Sequence, residues 1–143
     1  MVLVAKDILE KDFLSMPGDT TLFRAAQQMK TGRYGFVIVA NNEGKPVGIV
    51  TEWDIVSKVV AEGKDPRNVR LEELMTRDLI TVDPELGIDE LSEFMTTKGI
   101  RRVLVVSEGS VLGIITSRTV LARLKDYVDR VSTQIARLHS LTR

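Results

Sequence analysis

A threonine–aspartate pair and three arginines are the side chains of this sequence best suited to binding a ligand. Thr51 and Asp54 stand three residues apart, and a carboxylate is the group that accepts hydrogen bonds from the two hydroxyls of a ribose. Arg101, Arg102 and Arg118 lie further along the chain, and guanidinium groups suit phosphates. The Thr-x-x-Asp spacing has a second interpretation, because it is close to a capping box that satisfies helix amides.

The sequence offers little equipment for catalysis. It has no cysteine and one histidine, His139, which argues against thiol nucleophiles, thiolate metal sites and sites built from several histidines. The glycine-rich patterns GxGxxG and GxxxxGK, which cradle phosphates, do not occur in it. We therefore expect no enzyme activity, no catalytic residue, no bound metal and no resident cofactor.

The composition is typical of a soluble globular protein. The 143 residues have room for one compact domain, and 43% of them are hydrophobic and 28% charged. Twenty basic and twenty acidic residues cancel, so no overall field attracts nucleic acid or an anionic membrane. No apolar run approaches the roughly 18 residues that cross a bilayer, and acidic residues come too early for a signal peptide. A cytoplasmic location is expected.

The sequence contains two copies of one unit, residues 7–62 and residues 73–126. Each copy has an amphipathic stretch, an apolar run, a polar turn and a short apolar segment that ends in threonine. Gly32 and Gly99 are predicted to end the amphipathic helix of each copy. The apolar helix positions are Leu22, Ala26 and Met29 in the first copy and Ile88, Leu91 and Met95 in the second.

Each half is predicted to fold as a helix, two strands and a helix, behind a short extended segment. The predicted units are a first repeat (1–63), a linker (64–70), a second repeat (71–126) and a C-terminal helical extension (127–143). A repeat of this size has a small core, so two copies bury more surface by packing together. The expected fold is α/β (α+β), with two pseudo-symmetric repeats packed through their sheets and an extended C-terminal helix.

This duplicated pattern resembles a tandem pair of CBS domains, also called a Bateman module. The resemblance runs from about Lys6 to Asp126 and rests on two copies of Gly-Ile-(Val/Ile)-Thr, at 48–51 and 113–116, each behind its own helix and strand. It implies a stand-alone regulatory sensor. It also implies that an adenine nucleotide (AMP, ADP or ATP) or a related adenosyl ligand binds in a cleft between the repeats.

The resemblance implies which residues form the site, since each cleft of such a module takes its ribose-binding acid from one repeat and its phosphate-binding cations from the other. Asp54 and the arginines of the second repeat are therefore expected in one cleft. The other cleft, which has Thr116 and Thr119, is expected to lack both the acid and the arginines and to bind poorly or not at all. The expected ligand-binding residues are Thr51, Asp54, Val50, Leu79, Ile80, Arg101, Arg102, Leu104 and Arg118.

Some of these residues have alternative interpretations. Arg101 and Arg102 open a strand, so alternation sends them to opposite faces, and one of them could simply be solvated. Leu104 stands where many relatives have proline, which loosens the analogy for the base pocket. Trp53 could stack on a base, or it could pack at the start of its helix. By position, the first-repeat counterparts of Arg101, Arg102 and Arg118 are Tyr34, Gly35 and Trp53.

The last helix is predicted to continue beyond the second repeat. Its apolar residues alternate spacings of three and four for nearly three heptads, which favours packing against another subunit, so we expect a homodimer. A helix folded back over the sheet is the alternative. Residues 118–143 have six basic and two acidic side chains, interpreted as a solvated face, and His139 is expected to be exposed. The apolar positions are Leu121, Leu124, Val128, Val131, Ile135 and Leu138.

Two main classes of function follow from these features. In a sensor, a nucleotide that bridges the two repeats favours one inter-repeat arrangement, which the tail transmits to a regulated protein. In a scaffold, the clefts are degenerate and the C-terminal helix does the work. S-adenosylmethionine is a rival ligand for the sensor, although three arginines suit phosphates better than a sulfonium. Nucleic-acid binding through the tail is disfavoured by the zero net charge.

Overall fold

This computed structural model describes residues 3–141, in which the same order of helices and strands occurs twice. Residues 1–2 and 142–143, which the predicted first repeat and extension include, lie outside that range. The first copy contains α1 (Ala5–Ile8), β1 (Leu14–Pro17), α2 (Leu22–Gly32), β2 (Phe36–Ala40), β3 (Pro46–Thr51) and α3 (Glu52–Ile55), which continues as a π-helical turn (Val56–Val60). After a 3-10 turn (Pro66–Asn68), the second contains α4 (Leu71–Leu74), β4 (Thr81–Val82), α5 (Ile88–Lys98), β5 (Arg102–Ser107), β6 (Ser110–Thr116) and α6 (Ser117–Leu141).

Each repeat contributes one three-stranded sheet, and the two sheets have the same topology. The middle strand pairs in parallel with the first strand and antiparallel with the third, in the orders β1-β2-β3 and β4-β5-β6. Phe36 lies opposite Thr51 in the first sheet, and Arg102 lies opposite Thr116 in the second. An irregularity interrupts the antiparallel pair at the corresponding place in both sheets. The duplication in the sequence is therefore present in the backbone.

This register changes two of the predicted correspondences between the repeats. Arg102 and Phe36 are both the first residue of the middle strand and both pair with the terminal threonine of the third, so they are counterparts. Arg101 accordingly corresponds to Gly35. The predicted counterparts, Tyr34 and Gly35, are wrong by one residue, because that alignment pairs Gly32 with Gly99, whereas the residue that ends α2 in the same backbone conformation as Gly99 is Arg33.

The two sheets pack face to face through a small apolar layer. Its buried members are Ile38 of β2, Leu104 of β5 and Ile114 of β6. Behind each sheet lies a separate core covered by helices. The first core includes Leu22, Ala25, Val37, Val39 and Val50, and the second includes Leu91, Met95, Val103, Val105 and Ile115. The expected architecture of two α+β repeats packed through their sheets, with an extended C-terminal helix, is confirmed.

The short helix at the front of each repeat packs into the core of the other repeat. Ala5 and Ile8 of α1 belong to the core of the second repeat, and Leu71 and Leu74 of α4 belong to the core of the first. The exchange is fixed by backbone hydrogen bonds such as that from the Ala5 N–H to the Leu86 carbonyl, 2.8 Å long. Each repeat therefore has its core completed by a segment that precedes the other repeat in the chain.

The long helix of each repeat ends on a residue in the left-handed backbone conformation. In the second repeat this residue is Gly99, with φ 65° and ψ 33°. In the first repeat it is Arg33, with φ 58° and ψ 40°, whereas Gly32 is the last residue of α2. The prediction that Gly32 stops this helix is therefore wrong by one residue. For a residue with a side chain, this conformation costs about 1–2 kcal/mol.

The final helix, α6, extends away from the body of the protein. Its first turns contact β6 and α1, and Val120 packs against the second core. None of its described residues is buried. Six large apolar side chains and one tyrosine of this helix are between 51% and 79% exposed. This geometry excludes the alternative in which the helix folds back over a sheet. The exposed residues are Leu121, Leu124, Tyr127, Val128, Ile135, Leu138 and Leu141.

Two corresponding glycines give a matched test of the packing. A Cβ added at Gly113 would lie 2.6 Å from the backbone oxygen of Glu10, whereas a Cβ at Gly48 would meet the flexible Met75 side chain. The Glu10 backbone is fixed by paired hydrogen bonds to Ile114, so it has little freedom to move. We expect Gly113→Ala to cost about 1–3 kcal/mol and Gly48→Ala clearly less. Urea unfolding of both variants measures the difference, and equal losses would contradict this account.

Candidate functional site

Thr51 and Asp54 form a reciprocal cap at the start of α3. The Asp54 Oδ2 accepts hydrogen bonds from the Thr51 backbone N–H (2.9 Å) and hydroxyl (3.1 Å). The Thr51 Oγ1 in turn accepts a hydrogen bond from the Asp54 N–H, 3.3 Å away. Asp54 is only 8% exposed, and among the described residues 3–141 it is the only charged residue that is buried. The capping-box interpretation of the spacing is therefore correct, and it fixes where the carboxylate lies.

Lys58 balances the charge of this carboxylate. Its Nζ lies 3.1 Å from the Asp54 Oδ1, one turn further along the same helix. The same ammonium donates a hydrogen bond of 3.0 Å to the Leu74 carbonyl at the end of α4. Both oxygens of Asp54 thus have partners in this structure. A ligand hydroxyl that approaches this carboxylate must share Oδ1 with Lys58 or displace it.

A cavity of about 270 Å³ opens beside Thr51, between the two repeats. We call it the Thr51 cavity. The first repeat supplies Ile49 and Thr51 from β3, and the second supplies the segment before β4 and the start of β5. Of the residues expected in the site, it brings together Thr51, Leu79, Ile80, Arg101, Arg102 and Leu104. The other lining residues, which were not predicted from the sequence, are Ile49, Asp78, Ile100, Val103 and Ile114.

Val50 faces away from the Thr51 cavity, which differs from the expectation that it flanks a base. It is fully buried in the core behind the first sheet. Its neighbour Ile49 lines the cavity instead. Successive side chains of a strand point to opposite faces, so only one of these two residues could face the cleft. Strand periodicity in the sequence was a signal that could have distinguished them.

A larger cleft of about 630 Å³ lies on the other side of the pseudo-two-fold axis. We call it the Arg118 cleft. It is lined by Thr116, Ser117 and Arg118 from the second repeat and by segments 10–12 and 32–36 from the first. Arg101 and Arg102 line it as well. The full set is Glu10, Asp12, Gly32, Arg33, Tyr34, Gly35, Phe36, Arg101, Arg102, Ile114, Thr116, Ser117 and Arg118.

The Arg118 cleft corrects two expectations about the arginines. Arg118 was expected beside Thr51, but it lies with Thr116, because it occupies the first turn of α6 directly after that threonine. The second cleft was expected to lack arginines, yet Arg33, Arg101, Arg102 and Arg118 all line it.

Thr116 and Thr119 make an uncharged version of the cap at Thr51. Their hydroxyl oxygens are 2.9 Å apart, and the Thr119 N–H donates to the Thr116 Oγ1 at 3.2 Å. The Thr116 N–H donates to the Thr119 Oγ1 at 3.3 Å. Thr119 therefore takes the capping role that Asp54 has in the first repeat. The two caps therefore differ in charge, since no carboxylate stands at the point equivalent to Asp54.

Arg102 separates the two clefts. Its guanidinium lies over the Phe36 ring, 5.0 Å from the ring centre, and the two side chains meet across the pseudo-two-fold axis. Arg102 is half-buried, whereas Arg101 is exposed. Trp53, the counterpart of Arg118, was one candidate for stacking on a base. It is 72% exposed and lines neither cleft.

Tyr34 and Asp12 face each other in the wall of the Arg118 cleft. The Tyr34 hydroxyl donates to the Asp12 Oδ1 at 2.7 Å. This hydrogen bond, together with desolvation and the charge of Asp12, raises the pKa of Tyr34 above its ordinary value.

We expect Asp12→Asn to lower the pKa of Tyr34 towards the ordinary tyrosine value of about 10, because the neighbouring negative charge is gone. Spectrophotometric titration of tyrosinate measures this value. A Tyr34→Phe variant gives the contribution of Tyr127, the other tyrosine of the chain. An unchanged titration curve after Asp12→Asn would contradict the assignment.

Within residues 3–141, no group of three or more histidine, aspartate or glutamate side chains is arranged to hold a metal ion. In the same range, none of the helices combines the length and the apolar character needed to cross a membrane.

Comparison with known proteins shows similarity along most of the chain. MK0525 of Methanopyrus kandleri is 33% identical over 116 residues, which cover 80% of this chain and 59% of that protein. A hexameric CBS-CP12 protein from bloom-forming cyanobacteria is 36% identical, with a TM-score of 0.77, over 90% of this chain and 75% of its own. The CBS domain pair of MJ0100, solved in complex with 5′-methylthioadenosine and S-adenosyl-L-methionine, is 31% identical, with a TM-score of 0.74, over 88% and 98%.

A sequence model of the CBS domain matches this chain twice, at residues 5–61 and 71–126. The two matches coincide with the two sheets and the helices around them. The chain therefore belongs to the CBS domain family, as a tandem pair of CBS domains followed by a long C-terminal helix.

Proposed function

We propose that this chain is a regulatory module that binds an adenine nucleotide, AMP, ADP or ATP, in the Thr51 cavity. The observation that carries the proposal is the composition of this cavity, which combines apolar surface with hydroxyl and guanidinium groups from two different repeats. Leu79, Ile80 and Leu104 offer the apolar walls that a purine ring needs, and Arg101 and Arg102 suit its phosphates.

The volume of the cavity agrees with a small ligand. Ligand pockets commonly measure about 300–1,000 Å³, and the Thr51 cavity of about 270 Å³ lies just below that range. A base and a ribose fill such a space, while phosphates extend towards the arginines at its mouth. Asp54, although expected in the site, does not line the cavity itself; its carboxylate lies directly behind Thr51, whose hydroxyl donates to it at 3.1 Å, and it would supply the acid for a ribose at this edge once Lys58 shares or leaves Oδ1.

The regulatory mechanism follows from the origin of the cavity walls. Because one wall belongs to each repeat, a bound ligand favours those arrangements of the repeats in which both walls contact it. A ligand shifts an equilibrium between two conformations by the difference in its affinity for them. We propose that α6, which begins directly at the end of β6, transmits this change to a regulated protein.

We also propose that two copies of the chain form a homodimer along α6. The exposed apolar side chains of this helix recur at heptad spacing, which is typical of a helix that packs along another. The similar CBS-CP12 protein is hexameric, so association between copies has a precedent among proteins of this fold.

S-adenosylmethionine is a second candidate ligand. The MJ0100 domain pair, 31% identical to this chain, was solved with S-adenosyl-L-methionine and 5′-methylthioadenosine. Both compounds share the adenosine part with the adenine nucleotides. The nucleotides are favoured here because guanidinium groups line the cavity, and a phosphate chain carries more negative charge than the single carboxylate of S-adenosylmethionine, whose sulfonium is positive.

Isothermal titration calorimetry with AMP, ADP, ATP and S-adenosylmethionine tests the proposal, with and without Mg²⁺. The expected result is saturable binding of at least one adenine nucleotide, tighter than that of S-adenosylmethionine. The reverse order would favour the second candidate. Absence of heat with all four compounds, on a folded sample, would overturn the sensor and leave a scaffold that acts through α6.

A further inference from the structure

We infer that Lys58 links the Asp54 carboxylate to the short helix α4, so that a ligand which takes this carboxylate also releases the end of α4. The inference deepens the proposed function and rests on it for the identity of the ligand. The Lys58 Nζ lies 3.1 Å from the Asp54 Oδ1 and donates a hydrogen bond of 3.0 Å to the Leu74 carbonyl. One ammonium group therefore holds the carboxylate and the helix end at the same time.

The contact with Lys58 stabilises the carboxyl end of α4. This helix is a single turn, Leu71–Leu74, so its last carbonyls have no further turn to accept hydrogen bonds from, and a lysine can satisfy one of them. Both of its leucines are buried in the core of the first repeat. The chain then continues to Leu79 and Ile80 in the wall of the Thr51 cavity. A change at the end of α4 therefore reaches both repeats.

The second repeat has the same arrangement without the carboxylate. Arg123 follows Thr119 by four residues, as Lys58 follows Asp54, and its Nη2 donates to the Asp7 carbonyl of α1 at 3.5 Å. The buried Nε of Arg123 has no hydrogen-bond partner among the residues that the structure describes. A cation thus contacts the end of the exchanged helix in both repeats, but in the second repeat no acid stands at the capping position to hold it.

A cavity beside Lys58 gives the displaced ammonium a place to move. Lys58 lines this space of about 600 Å³ together with the acids Asp65 and Glu73. The ammonium that leaves Asp54 therefore stays close to negative charge, and its side chain is already 45% exposed, so water can reach it. Lys58 has two arrangements available, and a ligand that binds Asp54 favours the one in which α4 has lost its contact.

Hydrogen–deuterium exchange of the full chain without ligand tests the link between Asp54 and α4. We expect Lys58→Met to speed exchange of the backbone amides of residues 72–76 at least about threefold, because the helix end loses its donor. Asp54→Asn should have a comparable effect, since it removes the charge that holds Lys58 in place. The double variant should exchange no faster than Lys58→Met alone, because both substitutions break one shared link. Lys58→Arg, which keeps the positive charge, should preserve most of the protection.

Addition of AMP, ADP or ATP tests the release of α4. The nucleotide that binds should speed exchange of residues 72–76 in the natural sequence and leave it unchanged in Lys58→Met, where the contact is already absent. It should also bind Lys58→Met at least about threefold more tightly, because the Asp54 Oδ1 is free. Arg123→Met is the matched control: it removes the equivalent contact with α1, and nucleotide affinity should change less than about twofold.

Two results without ligand would overturn the link: unchanged exchange of residues 72–76 in Asp54→Asn, or effects of the two substitutions that add in the double variant. With a nucleotide that binds the natural sequence, unchanged exchange of these residues, or binding to Lys58→Met that is no tighter, would overturn the release. If none of the three nucleotides binds, the proposed function fails. The ligand-free variants then still decide whether Lys58 links Asp54 to α4.

Discussion

Replacing Asp54 with asparagine is expected to weaken binding of the adenine nucleotide at least tenfold. The substitution removes the negative charge that the ribose hydroxyls bind, and a hydrogen bond to a charged group contributes about 1.5–3 kcal/mol. A change of about 1.4 kcal/mol corresponds to a factor of ten in affinity. The asparagine oxygen can still accept the Thr51 N–H, so the helix cap that Asp54 makes is retained. Calorimetry of the variant beside the natural sequence measures the effect.

The second repeat supplies the control for this experiment. Thr119→Ala removes the equivalent cap at the start of α6, so it tests the stability loss that follows when such a cap is broken. We expect it to leave nucleotide affinity in the Thr51 cavity unchanged. If Asp54→Asn bound the nucleotide as tightly as the natural sequence, Asp54 would be a capping residue only, and the proposed ribose contact would be wrong.

Two glutamates on the exposed face of α6 are expected to dissociate the homodimer. Val128 and Ile135 are seven residues apart on this face and are 51% and 59% exposed in the single chain. Burying such a side chain contributes about 1.5–3 kcal/mol, and a two-fold interface contains each residue twice. We expect light scattering after size exclusion to give twice the 16.0 kDa chain mass for the natural sequence. The Val128→Glu/Ile135→Glu variant should give 16.0 kDa.

A variant on another side of the same helix provides the control. Thr133 is exposed and lies on the side of α6 opposite Val128 and Ile135, so Thr133→Glu adds a negative charge to the same helix and should leave the mass unchanged. A double variant that kept the mass of two chains would contradict the interface along α6. The interface would then lie elsewhere, and Trp53, Val56 and Val60 form another exposed apolar surface that could supply it.

The duplicated fold was predictable because its signals are local. Helical spacing, apolar runs and the two Gly-Ile-(Val/Ile)-Thr segments recur in each half, and the strands and helices form where these patterns predict them. The cap at Thr51 was also predictable from the sequence, since a capping box requires only two suitable residues three positions apart. The exposed apolar face of α6 also followed from the spacing of its apolar residues.

The contents of each cleft depended on which strand faces and helix starts are brought together when the two repeats pack. Arg118 follows Thr116 in the chain and therefore lies in that cleft, although its charge suggested the cleft of Asp54. Val50 and Ile49 are adjacent in the chain, and the orientation of the strand decided which of them faces the Thr51 cavity. The left-handed end of α2 fell on Arg33 rather than on the glycine before it.

The sequence by itself therefore determined the two repeats, their elements and the residue types available for binding, because each follows from spacing within about 15 residues. Only the tertiary structure decided that α1 and α4 exchange between the cores and that four arginines meet in one cleft. The physical reason is that the pseudo-two-fold packing joins segments some 65 residues apart, and their side chains meet only when the two sheets close on each other.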